Sequence, residues 1–229
     1  MSLSAKLYSS VDRDNRQVIL GMIQRNETAA ILDLGCGSGD FTMEMAAKIG
    51  TSEICGIELL EEEAQKAERK SIKVYRADLN KKFPIEDESF DFVCANQVIE
   101  HLYETDLFIK EIYRVLKQGG YAIISTNNLA SYHNIASLLL GKQPFPSHVS
   151  NEVVVGLLLK SWCIEHKNKG SIHLRIFTPA GLKELFEYHR FKVEKMVGVG
   201  FYPFPNRVAR ILSKIDGRHS VYLTMKVRK

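Results

Sequence analysis

From Ala29 to Thr126 short apolar runs rich in β-formers alternate with helical patterns, and this rhythm constrains the chain more than any other feature. Residues 29–35, 53–58, 72–78, 90–96 and 121–125 read as strands, and residues 41–49, 61–70 and 107–116 as helices. In the last of these helices Leu107, Ile109, Ile112, Val115 and Leu116 recur at near-helical spacing before Gly119 and Gly120 stop it. Strands alternating with helices make βαβ units, and hence a parallel sheet. Residues 14–25 fit an amphipathic helix packed ahead of the first strand.

The rhythm breaks over residues 129–171, which carry Gly141, Pro144, Pro146, the lone Trp162 and a basic polar stretch at 166–170. This segment reads as an inserted cap rather than a second core. After it Thr178 and Pro179 open a helix, Thr as N-cap and Pro in the first turn, that runs to about His189. Residues 191–199 and 221–227 then alternate as strands and bring the sheet to seven. A chain of 229 residues supports one main domain, taken as 1–229, with the cap 129–171 inside it.

With 45% hydrophobic and 25% charged residues the chain is excluded from the disordered, collagen-like and disulfide-scaffold classes. Cys36, Cys55, Cys94 and Cys163 form no C-x-x-C pair and read as reduced thiols. No apolar run approaches the ~18 residues of a membrane span and no signal-peptide core opens the chain, so a cytoplasmic protein is expected. The net charge of +4 is unevenly spread: the last 29 residues hold seven Lys/Arg and one Asp, so the rest is slightly acidic. Arg207, Arg210 and Lys214 would share one face of a short helix whose other face is Val208, Ile211, Leu212 and Ile215. A solvated face is the default for such a pattern, with RNA or an anionic membrane as the alternatives.

The chemistry concentrates in Asp33-Leu34-Gly35-Cys36-Gly37-Ser38-Gly39-Asp40, a glycine loop between a buried strand and a helix. Glycines there permit left-handed turns and let backbone approach a ligand closely. The loop departs from the G-x-G-x-x-G dinucleotide fingerprint, and the acid two residues before its first glycine would repel a pyrophosphate but suits a cationic ligand. Glu58 closes the second strand, where doubly wound folds place an acid on a ribose diol; otherwise it is an exposed acid opening the acidic helix start at Glu61–Glu63. Asp78, at the end of the third strand, offers an acceptor for an adenine amino group, with Leu79 adding a backbone donor and an apolar face.

Together these residues resemble the class I methyltransferases that use S-adenosylmethionine (SAM), over about residues 29–127. The resemblance implies a Rossmann-like, doubly wound α/β sheet of seven strands, completed by the helix–strand pair that begins at residue 173 and by an antiparallel last strand at 220–227. It places Asp33 near the methionyl amino group, Glu58 on both ribose hydroxyls, and Asp78 and Leu79 against adenine. Gly35, Cys36, Gly37, Gly39, Leu59, Asn96 and Gln97 complete the expected cofactor contacts, with S-adenosylhomocysteine as product. Residues 96–102 and 117–120 resemble the small-molecule branch (methyltransferase type 11) that includes ubiquinone and menaquinone methyltransferases. The N-P-P-Y signature of enzymes methylating planar amides or nucleobases is absent after the fourth strand.

His101 is the acid–base candidate, since an imidazole titrates near neutrality; the alternative is a structural histidine beside Glu100. Some quinone O-methyltransferases carry a metal-binding E-x-x-E-H here, but Gln97 replaces the first Glu and no metal is expected. The remaining histidines lack i,i+4 metal spacing and read as mostly solvated. In the cap, Tyr132, Phe145, Trp162 and Val153–Leu159 offer walls for an apolar substrate or form the cap's own small core. The expected function is methyl transfer from SAM to a small-molecule or lipid-linked acceptor at oxygen or carbon, with no nucleic-acid partner. The alternatives are an RNA methyltransferase using the basic tail and a non-catalytic SAM-binding protein.

Overall fold

The computed structural model describes residues 3–150, 152–158 and 172–229. Seven strands form one sheet in the order β3-β2-β1-β4-β5-β7-β6. Its centre is β1 (Ile31–Leu34), four residues buried on both faces, paired in parallel with β2 (Ile54–Glu58) and β4 (Phe90–Asn96). Parallel pairing continues outward to β3 (Lys73–Arg76) on one side and β5 (Leu116–Asn127) on the other. Then β7 (Tyr222–Arg228) runs antiparallel to both β5 and the edge strand β6 (Lys192–Val199), an antiparallel last strand as the resemblance implies. Strand order reverses between β1 and β4, and in open α/β sheets ligands bind at the carboxyl ends of the strands flanking such a reversal.

On one face α1 (Leu3–Met22) and α2 (Asp40–Ile49) bury Ile19, Met22, Met45 and Ile49 against Phe92 and Ile123. On the other, α4 (Thr105–Val115) and α6 (Pro179–Tyr188) bury Phe108, Ile112, Leu182 and Phe186 against Leu32, Ile124 and Met225. Each of these side chains contributes about 1.5–3 kcal/mol by leaving water. The expected cap of α6 is present: Thr178 Oγ1 accepts the Gly181 N–H at 3.1 Å, with Pro179 in the first turn.

Two element boundaries differ from the periodicity. The first helix begins at Leu3 and stops at Met22 instead of spanning 14–25. Its polar Asn15 is fully buried under hydrogen bonds to Asn96, Ser125 and Thr224, so a core-facing position carries no hydrophobic signal. The fifth strand begins at Leu116, directly after α4, rather than at Tyr121. Gly119 (φ 77°) and Gly120 therefore turn the chain inside this element, where a Cβ on Gly120 would come within 2.9 Å of the Lys117 carbonyl oxygen.

After β5 the chain leaves the sheet through α5 (Tyr132–Leu139), and an isolated bridge of Asn128 with Phe177 closes the base of the excursion. Leu159, Trp162, Cys163, His166 and the basic stretch 166–170 lie outside the described residues. Between the edge strand and β7, α7 (Asn206–Ile215) packs against β6 and α1. Among the described residues no helix is long and apolar enough to cross a membrane.

Candidate active site

The loop after β1 is tied to β2 at its start, where the Gly35 and Cys36 N–H groups both donate to the Ile57 carbonyl, at 2.8 and 3.2 Å. Gly35, Gly37 and Gly39 all adopt left-handed backbone, with φ of 71°, 53° and 79°. Their surroundings differ. A Cβ on Gly35 would come within 2.9 Å of Val98 Cγ2, and one on Gly39 would overlap Ile72 Cδ1, so these two glycines serve the packing of loop and helices. A Cβ on Gly37 would meet nothing within 4 Å, so here the backbone borders open space. Cys36 is buried over Gly56, and burial pushes its thiol up to about 12, which leaves it protonated and without nucleophilic character at neutral pH.

Two carboxyls flank this loop. Asp33 is buried and its Oδ2 accepts the Thr42 hydroxyl at 2.6 Å. Burial raises its pKa from 3.8 to about 7; the Thr42 hydrogen bond opposes that rise and the nearby Glu58 charge adds to it. Near pH 7 the carboxyl is thus poised to lose its proton when a positive charge arrives. Glu58, only 9% exposed, accepts the Gly37 N–H on one oxygen and the Leu59 and Leu60 N–H groups on the other, all at 2.9 Å. It joins the loop to the start of α3 (Glu61–Glu68), and the reading of an exposed helix-opening acid fails on its burial. Leu59 itself is 66% exposed beside it.

Asp78 and Leu79 follow β3 and are half-buried; Asp78 Oδ1 accepts the Asn80 N–H at 2.9 Å, which turns the chain past the strand end. Asn96 ends β4 and Gln97 follows it. Gln97 takes a left-handed φ of 57°, a strained choice for a side-chain-bearing residue, and bonds to Ser125 Oγ at 3.0 Å. Around them lies buried polar structure that sequence reasoning missed, in two clusters: Asn15, Ser125 and Thr224 bonded to one another, and Thr126 and Asn127 bonded to Glu100. The run Ser125–Asn128 at a strand end was the signal available for it.

Glu100 is fully buried, and burial lifts its carboxyl to about 7 against hydrogen bonds from Thr126 (2.9 Å) and Asn127 (3.2 Å). Its backbone carbonyl accepts the Leu174 and Arg175 N–H groups, which anchors the segment returning to α6. His101, at the end of the 3-10 turn Ile99–His101, points Nδ1 at the Ile172 carbonyl, 3.0 Å away. A carbonyl partner requires Nδ1 to carry the proton, so in the neutral ring Nε2 is the basic nitrogen. The His101 ring lies 4.8 Å from that of His173, which lies 5.4 Å from that of His148, and the His173 N–H donates to His148 Nδ1. The expectation of mostly solvated histidines is therefore corrected for this row, for His133, whose burial lowers its pKa to about 4, and for buried His189, which bonds to Asp106. One donor atom each from Glu100, His101 and His173 falls within a 4.8 Å group, a proximity that spacing along the chain does not reveal.

Past this row, Tyr132, Phe145, Leu157, Leu158, Tyr202 and Pro203 line a largely apolar cavity of about 320 Å³. Of the expected cap residues, Tyr132, Phe145, Leu157 and Leu158 thus share one cavity, whereas Val153 and Val155 are exposed.

Residues 32–124, from β1 through β5, match the family described as "Methyltransferase domain". The chain is 26% identical over 207 residues to the rat mitochondrial ubiquinone biosynthesis O-methyltransferase, covering 86% of this chain and 52% of that protein. It is 30% identical over 130 residues to a ubiquinone/menaquinone biosynthesis C-methyltransferase of Geotalea daltonii, covering 53% and 55%. The chain thus spans about half the length of these relatives. A SAM-dependent methyltransferase from Mesorhizobium loti shares the fold, with a TM-score of 0.65 at 18% identity over 97% of this chain and all of that one.

A methyltransferase domain of this kind implies SAM as methyl donor, and the residues present fit it. Open space over Gly37 leaves room for a ligand against backbone, the Asp33 carboxyl suits a cation, and Glu58 presents a carboxylate at the end of β2. Once ionised, Asp33 would repel the pyrophosphate of a dinucleotide.

Proposed function

We propose that the protein is a SAM-dependent methyltransferase acting on a small-molecule or lipid-linked acceptor of the phenol or quinol type. The observation that carries this reading is the pair of buried carboxyls, Asp33 and Glu58, on either side of the open glycine loop at the strand-order reversal. Asp33 would neutralise the methionyl ammonium, Glu58 would take the ribose hydroxyls in exchange for its present N–H partners, and Asp78 with Leu79 would hold adenine. Gly35, Cys36, Gly37, Gly39, Leu59, Asn96 and Gln97 complete the contacts. Bound SAM supplies an activated methyl group on a sulfonium, so the chain's own task is to align the acceptor and remove its proton. That proton goes to His101 Nε2, with the Ile172 carbonyl holding the ring through Nδ1.

The acceptor enters from the cap, residues 129–171 of a single domain 1–229, whose apolar cavity suits a prenyl-type chain. The names of the quinone-modifying relatives point the same way. The reading takes no metal, because Gln97 stands where the metal-binding pattern has its first Glu and Thr126 and Asn127 already hold the Glu100 carboxyl. It also disfavours RNA: Lys226 and Arg228 pair with Glu194, and Lys229 pairs with Glu88, so these three charges of the basic tail are engaged within the fold. The free thiols of Cys36, Cys55 and Cys94 accord with a reducing cytoplasm.

The test is methyl transfer from labelled SAM into prenylated phenols and quinols by the intact chain and by a variant with residues 130–170 replaced by a short Gly/Ser linker. The intact chain should form S-adenosylhomocysteine and methylated product. The linker variant should bind SAM and transfer nothing. Full activity of the linker variant toward the same acceptor would refute the role of the cap.

A further inference from the structure

We infer that α7 is a docking surface for an anionic phospholipid bilayer. The helix rests on the fold along a narrow strip, with Ala209 buried and Leu212 and Ser213 half-buried. Val208, Ile211 and Ile215, spaced one turn apart, point away from the core at 43, 60 and 77% exposure. Phe204, 46% exposed, leads into them. An ordinary surface helix turns its apolar stripe inward; this one turns it to the solvent.

Positive charge is concentrated on the same helix. Of the seven Lys/Arg in the last 29 residues, Lys226, Arg228 and Lys229 are engaged in β7 or just beyond it, and the other four stand on α7 or directly after it. At about 100° per residue, Arg207, Arg210 and Lys214 fall together in the sector beside the apolar stripe. Arg210 pairs with Asp14 and Arg218 with Asp216, while among the described residues no acid pairs with Arg207 or Lys214. An exposed apolar stripe flanked by Lys and Arg is the arrangement of a helix lying in a membrane interface, apolar side chains among the acyl chains and cations on the lipid phosphates.

The same features disfavour other occupants. A nucleic acid would leave the apolar stripe unused. A second copy packed α7 against α7 would set Arg207 and Lys214 against their like. The inference rests on α7 alone and not on the proposed acceptor. Its consequence for catalysis does rest on that reading: Tyr202 and Pro203, just before the helix, line the cap cavity, so docking would hold that cavity at the bilayer surface.

The experiment is flotation of the full chain with vesicles of phosphatidylcholine alone and of phosphatidylcholine mixed with phosphatidylglycerol, at low and high salt. Binding should be at least tenfold tighter to the anionic vesicles and should weaken with salt. The double variant Ile211→Glu/Ile215→Glu should lose at least tenfold in binding to them. The double variant Arg207→Glu/Lys214→Glu should lose the preference for anionic lipid. All four side chains are exposed, so the melting temperature and circular dichroism should stay at wild-type values. Should the apolar variant misfold, the charge variant and the wild-type lipid dependence decide the matter. Equal partition into both vesicle types, unchanged binding by the folded variants, or a dimer that dissociates in Ile211→Glu without any vesicle binding would overturn the inference.

Discussion

Replacing Asp33 by Asn tests whether the glycine loop is built to receive a cation. Burial holds the Asp33 carboxyl at about 7 in the folded chain against 3.8 for an unperturbed aspartate. Ionising it in the native state therefore costs on the order of 4 kcal/mol more than in the unfolded chain. Between pH 4 and 7 the folded state keeps a proton that the unfolded state has lost, so stability falls as pH rises through that window and levels off above about 7. The amide introduced by Asp33→Asn carries no such proton, yet its oxygen can still accept the Thr42 hydroxyl. Glu100, also raised to about 7, gives the same trend in both proteins and cancels in the difference. Urea unfolding across this range should show wild-type stability declining relative to Asp33→Asn by a few kcal/mol. Bound SAM should reverse the trend, because a neighbouring cation favours the carboxylate and draws its pKa down. Calorimetry in two buffers of different ionisation heat should then show proton release near pH 7 from the wild type beyond that from Asp33→Asn. Parallel pH profiles for the two proteins, or equal proton release, would refute the argument.

Two glycines of one loop should separate packing from binding. Gly39→Ala would overlap Ile72 at a left-handed φ, so it should lower the melting temperature by about 2–4 °C for each kcal/mol lost; Gly37→Ala, facing open space, should lose about 1–2 kcal/mol of stability but most of its SAM affinity. A thermal melt and a binding isotherm on each variant check this. His101→Ala should keep SAM affinity while losing ~10²–10⁴-fold in methyl-transfer rate, measured by single-turnover product formation; normal turnover would make His101 a structural residue.

Much of this architecture was legible because the sheet is built from local patterns. The alternation between 29 and 126 marks every parallel strand, and the Thr178-Pro179 pair marks the start of α6. The glycine loop and Glu58 were legible because left-handed turns and a strand-end acid are local requirements. What escaped was set by distant partners. Asn15 hides the register of α1 because its amide is satisfied by Asn96 and by Ser125, 110 residues away. The histidine row joins three separate segments, with His101 Nδ1 bonded 71 residues along the chain, and no spacing rule connects them. Asp33 looked like a ready anion, and only its burial against Thr42 makes it a carboxyl poised near neutrality.

Titration calorimetry of the intact chain with SAM, S-adenosylhomocysteine and NAD, repeated with Glu58→Ala, tests the central claim most directly. SAM and its demethylated product should bind and NAD should not. Losing even one charge-assisted hydrogen bond to a ribose hydroxyl, worth about 1.5–3 kcal/mol, should weaken Glu58→Ala by roughly tenfold or more. Absence of SAM binding by the intact protein, or an unchanged affinity in Glu58→Ala, would contradict the account.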